Sequence, residues 1–153
     1  AYVAASAALA GDRAFVGNYN GKLICVDLVS ANIVWEYENP DRAAPFFSCP
    51  AVADDRVVVG GRDKRVHCIN RRDGAGIWRF QTRGNVDGSP VVCDRRVVVG
   101  SDDGWLYMLD AMTGLPCWQY EVGAAISSAP AVAGGLIVVA AEDGRVYAFG
   151  PRK

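Results

Sequence analysis

A single histidine, His67, and five cysteines of which no two are adjacent leave this sequence short of the residues from which most metal and nucleophile sites are built. With one imidazole and no Cys-x-x-Cys pair, neither a structural zinc site nor an imidazole-based catalytic pair can be assembled. Charge of one sign is lacking too. Sixteen Lys and Arg stand against 17 Asp and Glu, a formal charge of -1 over 153 residues, so no global basic field exists to hold a nucleic acid by its phosphates. Long hydrophobic runs are missing: LIVVAA at 136–141 falls far below the roughly 20 residues of a membrane helix, and no membrane span is expected. The N-terminal AYVAASAALA has the apolar character of a signal peptide but no Met and no basic stretch before it, so it reads as mature sequence without a targeting signal. Cys25, Cys49, Cys68, Cys93 and Cys117 are odd in number, replace small or apolar residues, and read as buried hydrophobes.

What is present is glycine, proline, valine and alanine in a regular order. Seventeen glycines and seven prolines in a chain that is 51% apolar predict many short strands punctuated by turns. Pro50, Pro90 and Pro130 recur every 40 residues, and the pattern extends back to Ala7, 43 residues before Pro50. Trp35, Trp78 and Trp118 keep the same spacings, which confines three extra residues to the segment ENPDRAAPFF. Each unit reads as four strands, A to D: a PAVA-like run, a VVVG-like run, an alternating run such as WLYMLD, and a run led by Trp. The turns between B and C end on Gly21, Gly104 and Gly144, where a positive φ closes a bulged hairpin. Lys64 takes that place in the second unit and is expected under mild strain. Pro116 lies in a D strand, which requires D to be an edge strand. A four-stranded meander repeated every ~40 residues is the signature of propeller blades. The fold class is therefore all-β: a partial β-propeller of about four blades over residues 1–153, with units near 1–47, 48–88, 89–127 and 128–153.

The unit ending YMLDAMTGLPCW resembles the A-x-D-x-x-T-G-K-x-x-W repeat of the quinoprotein-like (PQQ-like repeat) β-propeller family, as in BamB-type lipoproteins and pyrroloquinoline quinone (PQQ) dehydrogenases. Asp110, Thr113, Gly114 and Trp118 match it; Asn70, Asp73, Gly74 and Trp78 match in part, and the first unit has Asp27 and Trp35 with Ala31 in place of Gly. The resemblance implies that each Trp docks on the neighbouring blade, that the Asp and Thr-Gly fix the preceding turn, and that the protein is exported to a periplasmic or extracellular location. Its enzymes hold PQQ with adjacent cysteines, a Trp floor and a calcium site of Glu, Asn and Asp; none of these maps onto this chain. No cofactor and no catalytic residue are expected. Four units with A, B and C but only three with D make 15 strands, half of a likely ring of eight. A protein partner is expected, either a second copy closing the ring or further blades of a longer chain.

The remaining candidates are surface features. His67 aligns with Ile24, Tyr107 and Tyr147 and reads as a ring-shaped filler on strand C. The acidic turns at Asp102-Asp103-Gly104 and Glu142-Asp143-Gly144 lack the alternating ligand positions of a calcium loop. Ser48, Ser89 and Ser128 recur just before strand A and read as structural. The second unit is the basic one, with eight Lys and Arg against five Asp and Glu. Strand alternation places the B-to-C turns and D-to-A loops on one face, which gathers Arg42, Arg62, Lys64, Arg65 and Arg83 with Phe46, Phe47 and Trp105. A basic cluster beside unpaired aromatics is a candidate partner-binding face. The reading is a non-enzymatic binding or assembly scaffold; the alternative is part of a PQQ-type dehydrogenase or another multidomain enzyme whose active residues lie elsewhere.

Overall fold

The computed structural model describes residues 2–41 and 43–151, and these contain no helix. Fifteen strands form four antiparallel sheets in chain order. The first holds β1 (Ala8–Ala10), β2 (Arg13–Gly17), β3 (Lys22–Asp27) and β4 (Ile33–Glu38). The second holds β5 (Ala51–Ala53), β6 (Arg56–Gly61), β7 (Arg65–Asn70) and β8 (Gly76–Gln81). The third holds β9 (Val91–Cys93), β10 (Arg96–Gly100), β11 (Trp105–Asp110) and β12 (Pro116–Glu121), and the last β13 (Ala131–Ala133), β14 (Leu136–Ala140) and β15 (Val146–Phe149). The short strands β1, β5, β9 and β13 neighbour one another, so they line the inside of the arc and the Trp-led strands lie outermost. Pro116 accordingly sits in an outer strand paired only with β11.

The sheets stack face to face, and three apolar clusters fill the junctions between them. Val57 and Val59 face the first sheet while Val58 between them faces the third. A sheet covered on both sides has no polar face to alternate with, which is why its second strand reads VVV. The glycine after this run has a different purpose. A Cβ on Gly17 would lie 2.6 Å from the Cβ of Phe46, and Gly60 and Gly100 stand in the same relation to Val86 and Ile126. Each of these loop residues is 1% exposed or less and plugs the top of the junction.

Trp35 and Trp78 each lie on the blade that follows, and Trp118 meets Phe149 of the last blade edge-on at 5.2 Å. Trp35 Nε1 donates to the Arg71 carbonyl at 3.0 Å and Trp78 Nε1 to the Ala111 carbonyl at 2.9 Å, each across a junction. The glycine of the next blade's turn lies flat on the indole: a Cβ on Gly74 would meet Trp35 Cδ2 at 2.7 Å, and one on Gly114 would meet Trp78 Cδ2 at 2.5 Å. The turn itself is tied by the Asp. Asp110 Oδ1 accepts from the backbone N–H groups of Met112 (2.9 Å) and Thr113 (3.0 Å) and from Thr113 Oγ1 (3.2 Å), and Asp27 does the same for Val29 and Ser30. These bonds hold both carboxyls below the usual carboxylate range. Lys64 has φ 66 and Ala31 has φ 56, both left-handed conformations that their glycine counterparts adopt without a Cβ penalty.

Candidate interaction face

Two sets of backbone bonds divide the connections between two faces. Phe46 N–H donates to Asn18 O, Val86 N–H to Gly61 O and Ile126 N–H to Ser101 O, which binds each outer-to-inner loop to the preceding blade's turn between second and third strands. On the opposite face Leu28 N–H donates to Asp12 O, Arg71 N–H to Asp55 O and Ala111 N–H to Arg95 O. The strand alternation expected from the sequence is thus realised, with Arg62, Lys64, Arg65, Arg83 and Phe47 on the first face. Arg42 lies outside the described residues. The recurring serines are structural here, since Ser48 Oγ bridges to both Gly60 O and Gly60 N–H (3.1 and 2.7 Å) and Ser128 Oγ donates to Ala140 O at 2.9 Å.

One expected surface residue is misplaced. Phe46 is 1% exposed and cannot meet a partner. Its Cβ and backbone fill the space left by Gly17, while its ring lies beside Gly61 and packs on Tyr37 and His67, with centroids 6.4 and 5.2 Å away. Trp105 is half-buried, as Trp78 and Trp118 are, and stacks on Tyr107 at 6.4 Å. Two cations of the basic cluster are also neutralised. Arg62 grips Asp87 through Nη2 (2.7 Å) and Nε (3.0 Å) and lies over the Phe47 ring at 4.1 Å; its bonds to Asp87 hold its pKa up. Arg65 and Arg79 both donate to Asp41 Oδ2 at 2.6 Å, and these bonds, Arg65 first, hold the Asp41 carboxyl low. Among the described residues Lys64 and Arg83 have no ion-pair partner.

His67 occupies the core position expected of it but carries bonds that sequence reasoning missed. It is fully buried, with Nδ1 3.0 Å from the Tyr37 hydroxyl and Nε2 3.0 Å from Asp63 Oδ2. Both ring nitrogens are thus engaged, one by the hydroxyl of the preceding blade and the other by the acid of its own turn. The other blades explain the pattern. Tyr107 donates to Asp103 at 2.8 Å and Tyr147 to Asp143 at 2.6 Å, each reaching the acid of its own turn. In the second blade the shorter imidazole stands in that place, and the hydroxyl has moved to Tyr37 on the preceding blade, where the third blade faces Phe80. Burial raises the Tyr37 hydroxyl, and burial together with Asp103 raises that of Tyr107. Of these bonds the one between Tyr37 and His67 crosses from blade to blade, and the others tie a third strand to its own turn.

The residues do not fit the PQQ and calcium of the family's enzymes. All five cysteines are free and separate, and burial pushes the Cys68 thiol up to about 11, far from a reactive state. Among the described residues no three His, Cys, Asp or Glu side chains converge on a position that could hold a metal ion.

The sequence matches the family described as "Outer membrane protein assembly factor BamB" twice, over residues 2–83 and 62–152. It is 29% identical over 83 residues to quinohemoprotein alcohol dehydrogenase ADH IIB of Pseudomonas putida, a stretch covering 49% of this chain and 12% of that protein. BamB from Moraxella catarrhalis superposes with a TM-score of 0.85 at 25% identity, covering 96% of this chain and 46% of that one. The computationally designed Ika4 protein superposes with a TM-score of 0.83 at 17% identity, covering 98% of this chain and 91% of that one, a likeness of fold alone. The chain thus spans less than half of BamB and a small part of the dehydrogenase. Four meander blades, Trp-on-Gly junctions and a family match that runs through every repeat lead to one assignment: the chain belongs to the BamB family of PQQ-like repeat β-propellers.

Proposed function

We propose that this chain is a non-enzymatic propeller module that binds other proteins as an assembly scaffold, in a periplasmic or extracellular setting. The observation that carries the reading is the family match over nearly all described residues, joined to a side-chain inventory in which the single histidine is held between Tyr37 and Asp63 and the five cysteines stand apart from one another. The alternative, a portion of a quinoprotein dehydrogenase, draws on the 83-residue likeness to the Pseudomonas enzyme. Incubation with PQQ and calcium separates the two. The scaffold reading expects no cofactor retained after desalting and no oxidation of primary alcohols with a dye acceptor; stoichiometric retention or clear turnover would reverse the order.

A second part of the proposal concerns assembly. Both end blades present an apolar face: Leu9, Ile24 and Leu28 on the first, Val138, Val146 and Ala148 on the last. Beside the latter, Met108, Trp118, Phe149 and Pro151 line an open groove. Two copies joined head to tail would bury both faces twice and complete a ring of about eight blades. Light scattering coupled to gel filtration is the measurement. A mass near twice 16.3 kDa supports closure, and a stable species of 16.3 kDa at micromolar concentration overturns it.

A further inference from the structure

Equivalent positions around the inner rim of the turn-and-loop face carry side chains of progressively different chemistry. At the turn position the four blades present Tyr19, Arg62, Asp102 and Glu142, and at the intervening loop position the last three present Phe47, Asp87 and Ser127. These positions lie at the inner edge, because the loops descend from them into β5, β9 and β13, and Cys49 N–H reaches across to Ser89 Oγ at 2.8 Å. Contacts run along each end of the arc. Tyr2 meets Tyr19 edge-on at 6.2 Å, Tyr19 meets Phe47 at 5.5 Å, Arg62 covers Phe47 and holds Asp87, and Ser127 donates to Glu142 at 3.1 Å. One end of the rim is therefore aromatic and open, with Tyr2 70% and Tyr19 52% exposed. The other is acidic: among the described residues it sets Asp87, Asp102 and Glu142 against a single bound cation, Arg62. Burial first, then Asp87 and Glu142, raises the Asp102 carboxyl, which marks uncompensated negative charge there.

We propose that this rim docks a basic, extended peptide of a partner protein, with one cationic side chain over the Tyr2–Tyr19 pair and others against Asp102 and Glu142. Charge complementarity selects the occupant: the carboxylates favour ammonium or guanidinium groups, and the adjacent aromatic faces accept the same cations. Equal spacing of the blades presents these anchors in a row, which suits a peptide more than a single small cation. The proposal rests on the scaffold reading and supplies the chemistry of one bound partner.

Fluorescence anisotropy of dye-labelled hexa-arginine, titrated with the full chain at low salt, tests it. The double variant Asp102→Asn/Glu142→Gln is expected to weaken binding by about tenfold or more, and Tyr19→Ala by about threefold, the scale of a desolvated charge contact and of a cation–π contact respectively. Glu38→Gln/Glu121→Gln removes the same charge from outer strands and is expected to change affinity by less than about twofold, as exposed remote charges do. Equal losses in the two double variants, tighter binding of hexaglutamate, or no hexa-arginine binding at all would overturn the proposal. If the peptide fails to bind while PQQ is also rejected, the scaffold reading stands and this rim alone is lost.

Discussion

At the scale of single residues, the glycines show two separable costs of adding a methyl group. Gly114 and Gly144 have similar positive φ values, 72 and 78, but only Gly114 lies on an indole; nothing stands within 4 Å of a Cβ on Gly144. Gly144→Ala is expected to cost about 1 kcal/mol for the left-handed backbone, and Gly114→Ala about 1–3 kcal/mol more for displacing Trp78. Urea unfolding of both variants measures the difference, and equal costs would refute the packing account. Carboxylates divide in the same way. Asp110 is held low by its turn, so its contribution is present above the ordinary carboxylate range near pH 4 and is lost as pH falls through its depressed folded value. Asp102 is raised, so its burial opposes folding above that range and the penalty disappears on acidification. Asp110→Asn should thus lower stability at pH 7 and flatten the acid limb; Asn70 in the second blade's turn holds only the Arg72 N–H, at 2.8 Å, where Asp110 holds three donors. Asp102→Asn should raise the urea midpoint at pH 7, with the gain vanishing below pH 4. A midpoint that falls on Asp102→Asn would show that its carboxylate is favourably bound.

At the scale of strands and junctions, what could be read from sequence was whatever recurs at a fixed offset with one chemistry. Trp35, Trp78 and Trp118 keep their identity, Pro116 signals an edge by lacking an N–H, and Lys64 shows its φ by replacing a glycine. The plug position was not legible, because Phe46, Val86 and Ile126 share volume and burial but no motif, and the adjoining insertion makes Phe46 resemble a loop aromatic. The His67 network was hidden for another reason: Tyr37 lies 30 residues away in the preceding blade, and only stacking brings the hydroxyl to the ring. Removing that hydroxyl with Tyr37→Phe leaves His67 Nδ1 buried without a partner and should cost about 1–3 kcal/mol. A smaller loss would mean that the ring turns to another partner. The tryptophans also rank differently from the sequence expectation, which set Trp105 apart as the open one. Trp35 is 7% exposed and the other three are half-buried. Acrylamide should therefore quench a Trp35-only variant least, and variants retaining only Trp78 or Trp105 to similar, greater degrees.

For the whole molecule, the decisive quantity is apolar surface that four blades alone leave in water. Val146 is 70% exposed and faces away from the third sheet. At about 25 cal/mol per Å² of apolar area, even a modest blade face outweighs most single contacts within a blade. Val146→Glu places a charge on that face, at the start of its edge strand, and is expected to yield a 16.3 kDa species while leaving the three internal junctions intact. A variant that keeps the wild-type mass would move the contact elsewhere. The rim bears on the same question, since closing the arc would bring its aromatic end round toward the acidic end of a second copy and double the row of anchors.

Ala31 gives this otherwise repetitive array a direction of growth. At Gly74 and Gly114 the turn is bare so that the indole of the blade before can lie against it, whereas residue 31 carries a methyl group in the same left-handed conformation. A copy of residues 48–127 spliced ahead of the first blade would bring its last indole onto that methyl, and the seam would not close. Position 31 is thus a terminator written into a tandem repeat: it admits a neighbour without an indole at that height and rejects a duplicate of the internal units. Ala31→Gly would erase the mark and make the front of the array accept the same insertions as its interior.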